Sequence, residues 1–289
     1  MKSDRTTLLL LPVLLALSAF PPVACATDDV LEQINSSYGG KILTLRHFYE
    51  GEHLAFRADG SLVTPAEVGP WTVDAQIAVK SIQLRDRALD IRARRVCVIF
   101  DRKGKRYRDV LKWLAETDPK DERGLQQYFR ENEVEVEIQF PSGPPDSYEI
   151  AAAMDTIFLK PGELIGDVVP DSWREYFDKI EGQSRSVPST DETVYRVKPG
   201  EVSVPRQIYA PEPEFSEEAR LAKFQGSLTL AVIVDSSGNT RDIRVVSPLG
   251  LGLDEKAIEA VGAWKFEPAV KDARPVAVPV EVEFEFHLN

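Results

Sequence analysis

From Val276 to Leu288 the sequence alternates without a break. Val276, Val278, Val280, Val282, Phe284, Phe286 and Leu288 fall on one side, and Pro279, Glu281, Glu283, Glu285 and His287 on the other. This period of two is the mark of a strand with one buried and one solvated face. Its thirteen residues at ~3.4 Å each would reach about 44 Å, against a usual strand of roughly 17–20 Å. A strand of that length is expected to overhang its neighbours. Its free edge then displays unpaired N–H and C=O groups, a template for another strand. Pro279 suits an edge strand, because it donates no ladder hydrogen bond. Glu281, Glu283 and Glu285 are either the solvated side of a half-buried strand or a charge filter that favours basic peptides and discourages self-pairing.

The residues leading into this strand are patterned as strongly. Ser216 precedes a short helix, "EEARLAKFQ", with acidic residues in its first turn and Gly226 as its stop. "SLTLAVIV" and "TRDIRVVS" read as strands joined by the loop Asp235 to Asn239, where Gly238 can take a positive φ. Asp254 is expected to cap a second helix, with Leu253 and Ile258 as a hydrophobic staple. Trp264 and Phe266 are expected to plug the space between that helix and the sheet, and Glu267-Pro268 to end the helix. Residues 204–289 therefore predict a small α+β domain, helix–strand–strand–helix–strand, around an antiparallel sheet.

Residues 27–160 read differently. "KILTLRHF", "HLAFRADGSLV" with its Asp59-Gly60 turn, "WTVDAQIAV", "LDIRARRVCVIF" and "EVEVEIQF" are strand-like. The apolar phase shifts between Ala93 and Val96, which suggests a bulge or bend. Asp146 or Ser147 can cap a helix carrying Ile150, Met154, Ile157 and Phe158. A β-rich domain, as a barrel or curled sheet, is the expected fold here. Residues 161–203 read as a connector with one helix, "DSWREYFDKIEG".

Residues 1–26 have the form of an export signal: Lys2 and Arg5, an apolar run from Leu8 to Phe20, and Ala24-Cys25-Ala26 before polar residues. Lipidation at Cys25 and an uncleaved membrane anchor remain alternatives, against Pro22 for the first and Pro12, Pro21 and Pro22 for the second. Cleavage would leave Cys97 alone, with no disulfide. A formal net charge of −12 disfavours nucleic acid as a partner. His47, His53 and His287 are scattered, and no catalytic or phosphate-binding motif occurs, so neither an enzyme, a metal nor a cofactor is expected. Arg92, Arg94, Arg95, Arg102, Lys103, Lys105, Arg106 and Arg108 form a basic cluster. It is either a patch for anionic partners or compensated internally by Glu133, Glu135 and Glu137.

The helix–Gly–strand junction, the Asp235–Gly238 hairpin, the ending "AWKFEPA" and the alternating last strand together resemble the C-terminal domain of the TonB family, over about Val204 to Leu288. The resemblance implies a periplasmic module that binds a short TonB-box peptide of an outer-membrane receptor along its last strand. Val276, Val278, Val280, Glu281, Val282, Glu283, Phe284, Glu285 and Phe286 would be the pairing residues. Asp235, Gly238, Asp254, Trp264, Phe266, Glu267 and Pro268 would be the structural motif. Strand addition suits such an edge, because backbone bonds supply affinity with little sequence demand. A proline at Val282 is expected to remove a pairing donor. The long Pro-rich spacer of the family's transducers is missing, and a β-rich region stands in its place. Three roles follow: an exported strand-binding protein in transport or envelope organisation, a self-associating homodimer with ligand binding in residues 27–160, or an inner-membrane-anchored transducer if the leader stays.

Overall fold

The computed structural model describes residues 24–101, 107–117, 123–185 and 192–288, and the counts and absences below refer to these. The expected leader up to residue 23, and Arg102, Lys103, Lys105 and Arg106 of the basic cluster, lie outside them. No described helix is long and apolar enough to cross a membrane. The chain is α+β throughout.

The first half runs α1 (Ala24–Tyr38), β1 (Ile42–Thr44), β2 (His53–Arg57), the one-turn α2 (Trp71–Asp74), β3 (Gln76–Leu84), β4 (Ala88–Arg95), β5 (Val98–Phe100), β6 (Tyr107–Asp109), α3 (Val110–Thr117), α4 (Arg123–Glu131), β7 (Glu133–Gln139) and α5 (Ser147–Ile157). Five of these strands form a sheet in the order β1-β3-β4-β7-β2. All neighbours are antiparallel except β2 and β7. The sheet is open, not a closed barrel. Its edges are blunted by local chain: Val63 donates to Ala55 and Leu159 to Thr44, both at 2.8 Å. Ile34 of α1 and Ile150, Ala153, Met154 and Ile157 of α5 pack with Ile77, Leu89, Ile91, Val136 and Ile138 in one core. A capping box between Asp146 and Glu149 starts α5, satisfying helix donors from both sides.

Across the sheet, Arg92 faces Glu135 and Arg94 faces Glu133. Arg92 lies 3.8 Å from Glu135, while Arg94 pairs with Asp109 at 2.6 Å and Arg95 with Asp74 at 3.5 Å. Arg92, Arg94 and Arg95 are thus compensated internally, but only Arg92 by one of the expected glutamates; Arg94 and Arg95 use Asp109 and Asp74 instead, and Glu133 pairs with Lys80.

Two expectations need correction. "WTVD" is not strand: Pro70 opens a helical turn, so Trp71 and Val73 enter a different core from Ile77 and Val79. The phase shift after Ala93 is not a bulge. β4 ends at Arg95, and β5 pairs with β6 in another sheet, taking Val98, Ile99 and Phe100 into that second core.

The second core joins both halves of the chain. Between them, α6 (Asp171–Ile180) buries Trp173 and Phe177 completely, at 0% exposure. Trp173 lies 5.4 Å from Trp71 and 5.5 Å from Phe100, ring centre to ring centre. β5 docks through its backbone: Leu251 donates to Val98 (2.9 Å) and Phe100 to Leu249 (3.0 Å). Gly250 permits this approach, since a Cβ there would sit 2.4 Å from the Val98 carbonyl oxygen.

The C-terminal part continues with β8 (Arg206–Tyr209), α7 (Glu217–Leu221), β9 (Gly226–Val234), β10 (Thr240–Ser247), α8 (Leu253–Gly262), β11 (Lys265–Glu267), β12 (Ala269–Lys271), β13 (Arg274–Val276) and β14 (Val278–Phe286). β10, β9 and β14 form an antiparallel sheet in that order. The even-numbered residues of β9 (Leu228, Leu230, Val232 and Val234) are buried in one core with Ala257 and Val261 of α8. This is the predicted helix–strand–strand–helix–strand order, with short strands added.

Candidate functional site

β14 pairs with β9 on one side only, so it is the edge of its sheet. The strand is shorter than expected. It has nine residues, matched one to one with β9 from Val278↔Val234 to Phe286↔Gly226, and it does not overhang. Val276 belongs instead to the β12–β13 hairpin, opposite Ala269, so it is not on the open edge. Asp272 and Ala273, both at positive φ, make that hairpin's turn, ahead of the alternating run.

The direction of each backbone group follows from the hairpin before β10. Asp235 donates to Asn239 at 2.9 Å, so odd-numbered residues of β9 point their N–H and C=O toward β10 and even-numbered ones toward β14. Their partners Val278, Val280, Val282, Phe284 and Phe286 therefore bond inward. Pro279, Glu281, Glu283 and Glu285 point their backbone outward. Ala277 has the same parity, and its C=O does accept from outside, from Tyr195 N–H at 2.8 Å. Val194 bridges Ala277 here, so the connector covers the first outward position and stops short of Pro279. Proline thus stands where its missing N–H leaves no internal gap. The expectation for Val282 is corrected: its N–H bonds to β9, and proline there would break the domain's own ladder.

Side chains alternate about the sheet plane in the same register. Val280, Val282 and Phe284 are partly buried on the core face, while Glu281, Glu283 and Glu285 are exposed on the other. Phe284 rests 5.6 Å from Trp264, and Phe286 meets Phe215 edge-on at 5.2 Å. These aromatics fix the strand's height over the core and leave its edge bare.

The motif around Trp264 holds that strand in place by another route than expected. α8 ends at Gly262, ahead of Glu267-Pro268, and Lys265–Glu267 is strand β11, paired with β8. Trp264 and Phe266 are each 5% exposed, and the Trp264 indole donates to the Pro211 carbonyl at 2.9 Å. Glu267 pairs with Arg206 at 2.7 Å, and Pro268 closes the short strand. Phe266 N–H donates to the Gly238 carbonyl at 2.8 Å. Gly238, at φ 83°, allows this because a Cβ would lie 1.9 Å from the Phe266 oxygen. The Asp235 carboxylate receives the N–H of Ser237 and Asn239 and shapes the same loop. Asp254 is not the N-cap, which is Gly252. Fully buried, it accepts from the N–H of Leu249 (3.0 Å) and Gly250 (2.5 Å) and ties down the loop before α8.

A buried ionic cluster lies between the halves, and sequence reasoning missed it. Arg95, 3% exposed, donates to the carbonyls of Asp74, Tyr49 and Gly51 at 2.6–2.9 Å. Burial pushes Asp74 up to about 7, against the pull of Arg95. Glu255 accepts from the N–H and hydroxyl of Thr72 at 3.2 and 3.0 Å, and burial, then Asp254 beside it, push its pKa up. These partners are about 180 residues apart in sequence. The available signal was the Asp254-Glu255 doublet at a helix start.

Residues 211–288 match the family model described as Gram-negative bacterial TonB protein C-terminal. Among curated proteins, protein TonB of Vibrio cholerae is 30% identical over 79 residues, covering 27% of this chain and 32% of that protein. Protein tonB2 of Pseudomonas aeruginosa is 32% identical over 83 residues, covering 28% of this chain and 31% of that one. The chain thus spans about a third of the length of these relatives. The solution structure of the Pseudomonas aeruginosa TonB C-terminal domain aligns at 20% identity and a TM-score of 0.27, covering 32% of this chain and 93% of that one. Residues 211–288 of this chain are a TonB-family C-terminal domain.

Proposed function

We propose that this is an exported envelope protein whose C-terminal domain binds a partner peptide by adding it as a strand to β14, in TonB-dependent transport or a related envelope role. The observation that carries the reading is the open edge from Pro279 to Glu285, with three N–H and four C=O groups directed away from the sheet. Such an edge, already registered by β9, presents its bonds without reorganisation. Supporting it is the family to which residues 211–288 belong. By the family resemblance, the partner is a TonB-box-like segment of an outer-membrane receptor and the compartment is the periplasm. Residues 27–160 and 204–289 then act as two units, with 161–203 fastening them through α6.

Glu283→Pro tests this. It removes the central outward donor and places a ring where the partner backbone would lie, while the inward ladder stays intact. Titrated with a TonB-box peptide, the variant should bind at least tenfold more weakly, about 1.4 kcal/mol, with an unchanged melting temperature. A folded Glu283→Pro protein that binds as well as the parent would refute pairing at this edge.

A further inference from the structure

Resting on that strand-addition reading, we propose that the edge selects an extended peptide bearing basic side chains at alternate positions, and that the middle one, arginine by preference, seats in a groove built jointly by the two halves of the chain. The sheet face opposite the core is the one a partner's alternate side chains would share. Glu281, Glu283 and Glu285 share that face, opposite Ala231, Thr229 and Ser227 of β9, which offer no charge. Among the described residues no cation lies within ion-pair distance of Glu281 or Glu283, and Glu285 has only His287, at 3.4 Å. A strand added outside β14 brings every second side chain onto this face, directly beside these glutamates. Opposite charges at such cross-strand positions attract, and acidic ones repel.

Glu283 differs from the other two in its surroundings. It ends a cross-sheet row, Ser247–Thr229–Glu283, which forms the floor of an open groove of about 820 Å³. Trp113 of α3 and Phe100 of β5 line it from the first half, and Phe224 from the C-terminal part. Trp113 and Phe224 meet edge-on at 5.1 Å. Lys223 and Asp101 also line the groove, and Glu283 is the carboxylate that the sheet itself contributes to it. An aromatic wall beside an exposed carboxylate suits a planar cation on an apolar stem. The guanidinium can stack on the ring and still reach the acid, as an ammonium does less well. The occupant next in that row is the partner residue opposite Glu283.

The test uses three eight-residue Thr/Val peptides that differ only at three alternate positions, which carry arginine, lysine or serine, titrated into the full chain. The arginine peptide should bind at least tenfold more tightly than the serine peptide at low salt, with the advantage shrinking as salt rises. Glu283→Gln, which keeps the backbone donor, should shrink that advantage, and more than Glu281→Gln does. Trp113→Ala should erase the preference for arginine over lysine at the central position. Equal affinity for the arginine and serine peptides would overturn the charge selection and leave strand addition standing. Arginine-peptide binding that survives Glu283→Pro would overturn both readings, since attraction would then act without pairing.

Discussion

Trp173→Ala is expected to lower the unfolding free energy by about 3–5 kcal/mol, the usual range for emptying a buried tryptophan site. Trp173 is 0% exposed, and its ring is stacked on Phe100 (26° between planes) and packed at 6.1 Å on Phe177. Trp71 and Phe100 come from the first half of the chain, and β5 beside them is bonded to the loop before α8. The cavity would therefore open in the close-packed core that both halves share. The Trp173 indole N–H has no protein hydrogen-bond partner, so its value is in packing alone. Trp173→Phe keeps much of that packing and should cost less than half as much. Urea denaturation followed by circular dichroism measures both, and a loss below 1 kcal/mol for Trp173→Ala would show that α6 is not part of the fold's core.

Stability should fall as pH rises from about 5 to 8. Burial raises the pKa of Asp74 to about 7 and also raises Glu255 and Asp254 above the carboxylate range. The folded state then holds protons that the unfolded chain releases near pH 4, so the contribution is complete below that value and is lost as pH rises through about 7. Each proton so held changes stability by about 1.4 kcal/mol per pH unit while it titrates. Lowered groups such as Glu133 and Glu192 act in the opposite sense, but only below pH 5 and from exposed or half-exposed positions. Glu255→Gln keeps an acceptor for Thr72 and removes the charge. It should gain on the order of 2 kcal/mol relative to the parent at pH 8 and nothing at pH 4. A parent protein as stable at pH 8 as at pH 5 would contradict the buried cluster's part in joining the halves.

The C-terminal domain was the more legible part of the sequence, for a physical reason. Its strands have one wet face, so alternation marks them, and Pro279 alone placed the last strand at an edge. Which backbone groups face outward was hidden, because that depends on a register set through β9 by the distant Asp235–Asn239 turn. The strand's true start was hidden too, since β13 and β14 share one alternation across Ala277. In the first half, apolar residues serve two cores. Trp71 and Val73 lie six residues before Ile77 and Val79, respectively, in a continuous apolar rhythm, yet they pack elsewhere. Periodicity reports that a residue is buried and not against what. The Thr72–Glu255 contact and the groove under Trp113 are both products of long-range docking, and short-range pattern carries no trace of them.

The central claim, that partners add to the outward edge of β14, is tested most directly by amide hydrogen exchange along that strand. In the free protein, the amides of Glu281, Glu283 and Glu285 should exchange rapidly while those of Val280, Val282 and Phe284 stay protected. A saturating TonB-box peptide should protect the three glutamate amides and leave the other three unchanged. Bound peptide with the glutamate amides still exchanging freely would place the partner elsewhere on the domain and contradict the account.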